Sequence, residues 1–597
     1  MKTRLFVFGL ILLLLVGLCL TPSPAAAQDG DPPQETAIPE QVLPPTPPDI
    51  LQKDPSAPTD LEAERQPAED DRTAWPKTEV LPIAAESGVN EDYSDVAYGY
   101  TEYGIAYIKD GEAYIAFYHY DGTFMNRYLL SDGNQRASNP AVAFEGTNNY
   151  FVVAWQHDYG STGDMDIRIR SISPFTGPVE AVDVVVAETT NNETKPDLDC
   201  NHNDTSCLVV FNTDEGDDFI QGRFMEVKVT GMAEPSHEPF RVSNGDEAYD
   251  PYVAWGDSAG TYFVVYRWPG NASYASSGIC THLLDSYQSA ASNQYLHDGT
   301  FLIGDASHDK YPTDVAFDPL TEKYLVLFTY DFSGDGSDYD VRMAVWDGIA
   351  QSEYGPTGGQ RIADLGSDID EMQGSISFLT NAWSAQFDPG LDKVAVAYNR
   401  SDSSMTDYPD GVVTVVITGN GSTSFPSYDV PGELDHTLVK APPISFGSFN
   451  TRSAVAGRDG TGDYIVTWTD FINGITAHYD VNGMIFMYNA APFFNSTAVT
   501  SASVGEAYTY NVTATDLNMP AGDALTITAD SKPGWLTLSD SGDGTASLSG
   551  TPSLINVGDH SVTLRVTDLD GVSGTQSFTV TVVEEPNFSV YLPLILK

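Results

Sequence analysis

Basic residues are scarce in this chain. Its 597 residues hold 28 lysines and arginines against 84 aspartates and glutamates, for a formal net charge of −56. A surface so acidic repels phosphate backbones and anionic headgroups, which excludes nucleic acid and acidic lipid as partners. It attracts cations, calcium and basic protein patches among them. Cysteine is nearly absent, with four in all. No His-Glu-x-x-His helix, nucleophile-elbow phrase or glycine-rich nucleotide loop occurs. The histidines are dispersed, and helical periodicity is all but missing. After the first twenty residues no apolar run is long enough to span a bilayer.

That first run, Leu5 to Leu20, follows Lys2 and Arg4 and precedes Ala25-Ala26-Ala27. The pattern predicts a secretory signal over 1–27, cleaved after Ala27, with Cys19 part of the signal and no lipid anchor. Residues 28–90 are rich in Pro and acidic side chains. Leu43-Pro-Pro-Thr-Pro-Pro-Asp49 suits neither helix nor interior strand, so the segment reads as a disordered spacer.

From 91 to 490 one phrase recurs. Asn139-Pro-Ala-Val-Ala-Phe precedes Tyr150-Phe-Val-Val-Ala-Trp155, and Lys195-Pro-Asp-Leu-Asp-Cys200 precedes Cys207-Leu-Val-Val-Phe211. Asp250-Pro-Tyr-Val-Ala-Trp255 precedes Tyr262-Phe-Val-Val-Tyr266, and Thr313-Asp-Val-Ala-Phe317 precedes Tyr324-Leu-Val-Leu-Phe328. Units of this kind bury their faces only by stacking on neighbours. The second strand of each is apolar on both faces, as the middle strand of a packed blade requires. The spacing predicts units near 91–135, 136–190, 191–245, 246–306, 307–375, 376–440 and 441–490. The fold class is therefore all-β: a six- or seven-bladed β-propeller, seven preferred, followed by a small β-sandwich of cadherin/Ig-like type. Gly278 to Ala291 is the single modest helical candidate.

Three cysteines follow the signal. Cys200 and Cys207 flank a short turn between two strand runs, a spacing that suits a disulfide in an oxidising compartment. Cys280 is left odd and is expected to be buried and inert. Asp-rich loops, Asp158 to Asp166 and Asp331 to Asp340, follow second strands. They fit either turn capping or calcium binding. Arg168, Arg170, Arg223 and Arg342 recur within blades, where pairing with neighbouring acids is expected.

The recurring unit resembles propeller repeats of large secreted bacterial proteins over about 138–345. Such repeats also resemble the sialidase superfamily, whose chemistry needs an arginine cluster, a Tyr–Glu pair and an Asp acid. The scattered arginines here do not reproduce that set. Residues 491–584 alternate strand and turn around Trp535. Val504-Gly-Glu-Ala-Tyr, Ala514-Thr-Asp516, Pro533-Gly-Trp-Leu, Leu548-Ser-Gly-Thr-Pro552 and Val566-Thr-Asp568 resemble the dystroglycan-type cadherin-like family and related bacterial Ig-like surface modules. That resemblance implies Ca2+ held by Glu506, Asp516, Asp523 and Asp568, with Asp570 as a further ligand. The loop from Asp516 to Asp523 is longer and poorer in acids than in related modules, which implies weaker binding. The tail 585–597, ending Val590-Tyr-Leu-Pro-Leu-Ile-Leu-Lys597, resembles tails of exported proteins of Chloroflexi-like bacteria and reads as a sorting signal or an extra strand.

Taken together these features imply a secreted or cell-surface bacterial adhesion or interaction scaffold, calcium-binding and without catalysis. Its partner would be an extracellular protein or polysaccharide, with no nucleic acid and no transmembrane span after signal removal. A propeller enzyme acting on extracellular polysaccharide is the competing reading.

Overall fold

The computed structural model describes residues 75–584 except 135, 160–163, 181, 215–217, 232, 244–246, 258–259, 270–277, 286–295, 304–307, 335–337, 348–351, 355–358, 364–368, 380–392, 403–410, 421–425, 431–435, 441–450, 458–461, 473–477, 488–491, 517–523 and 569–572. The signal, most of the spacer, Asp523, Asp570 and the C-terminal tail lie outside the described residues.

Seven antiparallel sheets of four or five strands follow one another as the blades of a propeller. Their innermost strands are Glu91–Tyr98, Ala137–Glu145, Glu193–Cys200, Tyr249–Gly256, Lys310–Asp318, Ile369–Phe378 and Thr451–Gly457. Each lies against the innermost strands of both neighbours, the seventh against the first, so the ring is closed. The second strands carry the apolar runs. In blade 2, Phe151 to Trp155 are all fully buried. Seven apolar clusters fill the seven seams between blades; Leu198, Val209 and Phe211 of blade 3, for example, pack on Val152 and Ile169 of blade 2.

The seventh blade is completed from the other end of the domain. Trp75–Pro76 and Leu81–Ala84 pair antiparallel with His478–Met487, Trp75 opposite Met487 and Leu81 opposite Gly483. Residues 75–84 thus belong to the propeller and not to a disordered spacer. Ile83 and Ala84 are fully buried there, which gives so short a segment enough apolar area to hold. Of the helical candidate Gly278 to Ala291, Gly278–Asp285 is a strand, the third of blade 4, and 286–291 lie outside the described residues. There Cys280 and Leu284 pack in the seam with blade 3, while Ile279 and Leu283 pack in the seam with blade 5, a period of two rather than 3.6.

Cys200 and Cys207 form the expected disulfide, closing the turn between the first two strands of blade 3, and Cys280 is a buried free thiol. Residues 493–583 fold as two four-stranded sheets face to face. Tyr508, Tyr510, Leu536, Leu548, Leu564 and Val580 fill the space between them.

Candidate functional site

The innermost strands of the seven blades start at one end of the ring, where the second strands end. Near that start each strand slips register: between Asp92 and Asp95, Ser138 and Ala141, Thr194 and Asp197, Tyr249 and Tyr252, Pro312 and Asp314, Met372 and Ser375, and Thr451 and Ala454. Five of these bulges hold a non-glycine residue in the left-handed region: Tyr93 (φ 54°), Asn139 (φ 45°), Lys195 (φ 51°), Asp250 (φ 54°) and Gln373 (φ 54°). Such a conformation costs about 1–2 kcal/mol for an L-residue. In three cases a proline follows, at a point where the bulge has already broken the ladder and no donor is lost.

Strain repeated around one mouth is the mark of a positioned site. The bulge residues are also tied together. Gln156 Oε1 accepts from Asn139 Nδ2 at 3.0 Å and from the Lys195 backbone N–H at 3.3 Å, linking blades 2 and 3. Lys195 Nζ binds Asp250, whose other oxygen lies 3.0 Å from Arg267 Nε. Burial pushes the Asp250 carboxyl up, but Lys195 and Arg267 together outweigh it and hold it below the usual carboxylate range. The Arg267 guanidinium also sits over Tyr249 and Tyr311, 5.1 and 5.4 Å from the ring centres. The mouth therefore offers amides, a fixed carboxylate, a lysine and tyrosine rings within one annulus.

Deeper along the axis lie Asp95, Asp197 and Asp314, in register with Ala141, Tyr252, Ser375 and Ala454 on the other innermost strands. Each points across its seam to cap a free edge N–H of the next blade. Asp95 accepts from Val142 N at 2.7 Å, Asp197 from Val253 N at 2.7 Å, and Asp314 from Ile376 N at 2.8 Å. Asp199 does the same for Trp255 N at 2.7 Å. Burial raises these carboxyls, and their mutual repulsion adds to it. Asp95 reaches about 7, Asp314 about 6, and Asp197 lies well above its ordinary range.

A second set of acids is sealed inside the seams. Asp166, on the third strand of blade 2, and Glu193, at the start of blade 3, are almost completely buried (1% and 0% exposed). Burial first, and then neighbouring carboxylates, raise both to about 7. As expected, Arg168 and Arg342 pair with acids, Asp166 at 3.1 Å and Asp340 at 2.9 Å. Arg170 and Arg223 do not. Their guanidinium groups donate to backbone carbonyls, of Leu130 and Glu180 and of His237 and Val186. Of the Asp-rich loops, the one after blade 5's second strand shows capping: Asp331 Oδ1 accepts from Ser333 Oγ at 3.0 Å and Gly334 N at 2.8 Å.

In the sandwich the residues singled out for calcium divide. Asp516 follows Tyr508–Thr515, and Asp568 follows Gly558–Thr567. Phe493 pairs with Thr515, Val566 pairs with Gly574, and a Cβ on Gly574 would lie 2.1 Å from Pro492 O. Asp516 and Asp568 therefore share the end at which the chain enters the module. Glu506 precedes the same strand that Asp516 follows, and eight residues at about 3.4 Å each place it on the order of 27 Å away. It cannot share an ion with them. Among the described residues no three His, Cys, Asp or Glu side chains are gathered as a metal cage. The propeller-mouth residues escaped the sequence reading; their one signal was Asn, Lys or Asp placed before Pro in the repeated phrase.

Residues 491–583 match the family described as "Putative Ig domain". No curated protein matches the chain. Among solved structures, the chain is similar to the endo-arabinase of Bacteroides thetaiotaomicron VPI-5482, at 11% identity and TM-score 0.30, over 48% of this chain and 95% of that one. It is similar to the N11 neuraminidase-like protein of A/flat-faced bat/Peru/033/2010, at 9% identity and TM-score 0.34, over 66% and 96%. It is also similar to the Penicillium chrysogenum alpha-L-arabinanase complexed with arabinobiose, at 11% identity and TM-score 0.32, over 59% and 94%. Likeness at these levels carries no argument about activity.

Proposed function

We propose that this chain is an exported, surface-associated binding scaffold. Its propeller mouth engages a polar extracellular polymer, a polysaccharide before a protein, and the Ig-like sandwich serves as its spacer. The observation that carries this is the ring of strained bulge residues, Tyr93, Asn139, Lys195, Asp250 and Gln373, which presents ring, amide and charged groups around one opening. Sugar recognition asks for that mixture of flat apolar faces and fixed hydrogen-bonding groups. Asp166 and Glu193, whose titration would suit acid–base catalysis, are buried away from any polymer. Calcium at the sandwich, through Asp516 and Asp568, belongs to the same reading as a stiffener of the spacer.

The test is binding of the mature chain to a panel of extracellular polysaccharides, beside Lys195→Ala and Tyr93→Ala. Saturable binding without turnover, weakened in both variants, supports the scaffold. Turnover of any polymer rejects it in favour of a propeller hydrolase. One observation favours that second reading: the axial carboxylates Asp95 and Asp314, at about 7 and about 6, fall in the range of a general acid. In that case Asp95→Asn would abolish turnover while leaving binding intact.

A further inference from the structure

The sandwich carries an apolar tip that its own core does not use. Among the described residues of the module six large apolar side chains are exposed. Four of them belong to one end: Leu554 (60% exposed), Ile555 (91%), Val557 (50%) and Val583 (44%). Gly558 pairs with Val582, so Val557 and Val583 are the next residues outward on neighbouring strands. Val583 O accepts from Val504 N at 3.0 Å, and Pro552 O accepts from Gly505 N at 2.8 Å, which brings the turn 552–557 to the same place. This end lies opposite the one that holds Asp516 and Asp568.

The turn is firmly built. Leu554–Asn556 is a single 3-10 turn with no buried residue. Asn556 Oδ1 accepts from Ser553 N and from Ser553 Oγ, both at 2.8 Å, and His560 Nε2 lies 2.7 Å from the Asn556 carbonyl oxygen. The tip is therefore held out into water by its own hydrogen bonds. One exposed aliphatic side chain is ordinary on a surface, but a contiguous patch at a fixed turn is the sign of a contact.

The residues that follow Val583 name the occupant. Val590-Tyr-Leu-Pro-Leu-Ile-Leu596 has one polar side-chain group in its whole length, the Tyr591 hydroxyl. Seven residues separate Val583 from Tyr591. Extended, they span about 24 Å, enough to turn back over a tip that begins beside Val583. Charge agrees. Lys597 is the one basic residue after Arg565, and the exposed Glu506 and Glu584 flank Val504 and Val583.

We propose that Val590–Leu596 folds back onto the tip formed by Leu554, Ile555, Val557 and Val583 and covers it, with Lys597 on the acidic rim. The segment is then an integral cap of the module it follows, and not an address read by another molecule.

The test is disulfide trapping in the full chain at low concentration. Leu594→Cys is paired with Ile555→Cys or, as the control, with Thr509→Cys, an exposed position at the same end but off the tip. Peptide mapping identifies the linked residues. The Ile555 pair should close within one chain about ten-fold faster or more, because docking raises its effective concentration above that of a free tether. In calorimetry, Ile555→Asp and Leu592→Asp/Leu594→Asp should each lower the sandwich transition by about 5 °C, and their combination should lower it little further, since both remove one contact. Equal trapping rates for the two pairs overturn the proposal, as do melting losses that add in full. Links between chains also overturn it and give the tip to a second copy. So does recruitment of the wild type to phosphatidylcholine vesicles that is lost in Leu592→Asp/Leu594→Asp while the sandwich transition stays unmoved.

Discussion

The propeller and the sandwich solve the same problem, burying strands, in opposite ways. In the sandwich, Tyr508–Thr515 alternates buried and exposed residues through Val512, and the buried ones are apolar. In the propeller, strands such as Lys323–Asp331 are buried along their whole length. Among the described residues, every buried polar or charged side chain lies in the propeller except Asp568. Sheets packed on both faces leave nowhere dry to put function except inside, so the propeller accepts buried charge along its axis and seams. The sandwich keeps polarity on its outer faces and needs no such compromise. Buried charge is thus concentrated in the propeller, and the one sandwich residue that breaks the rule sits where the chain enters.

The comparison can be broken hardest at the ring closure. Removing residues 1–84 strips the outer strands from blade 7 and exposes its edge. It should abolish the propeller's cooperative melting or lower it by more than about 10 °C, as loss of several kcal/mol does in a domain this size. The sandwich transition, followed in the same calorimetric scan, should stay put. Next in size is Ile83→Ala, expected to cost about 2–4 kcal/mol in the propeller alone.

Acidity separates the two parts as well. Asp95, Asp166, Glu193 and Asp314 have folded-state values raised to about 7, 7, 7 and 6. The folded propeller therefore holds more protons than the unfolded chain between about pH 4 and 7, and its stability falls as pH rises through that window. Its melting temperature should be higher by about 5 °C or more at pH 5 than at pH 8. The sandwich transition in the same scan serves as the internal reference. A flat propeller profile would overturn this account of the axial and seam acids.

Smaller effects sharpen the contrast. Lys195→Gly should relieve left-handed strain and stabilise by up to about 1 kcal/mol while weakening ligand capture, a trade that no sandwich position should show. In calcium titrations of the full chain, Glu506→Gln should change nothing, whereas Asp516→Asn with Asp568→Asn should remove the sandwich binding.

The blades were legible because Phe-Val-Val-x-Trp and its variants are apolar on both faces, a demand few folds make of a strand. The closure was not, because Leu81-Pro-Ile-Ala84 is four residues long, sits in a Pro- and acid-rich stretch and repeats nothing. Gly278 to Ala291 misled because Cys280, His282 and the leucines fit neither period cleanly until their two faces are seen against different blades. At the site, Asn139-Pro, Lys195-Pro and Asp250-Pro were visible as strand starts. Their left-handed backbone was not, since proline ordinarily keeps the preceding residue extended. The seam pairs were invisible for a different reason: Asp166 and Glu193 are brought together by the stacking of two blades, which no local spacing encodes.

The closure has a mechanical consequence. Because Trp75 pairs directly with Met487, the chain enters and leaves the disc side by side. Tension between a tethered N-terminal segment and a tethered sandwich would cross only that short pairing, loaded end-on so that it opens one rung at a time like a zip. The other six blades hang outside the line of force. A pull strong enough to peel the closure would leave their seams, and whatever they hold, intact until the ring itself begins to open.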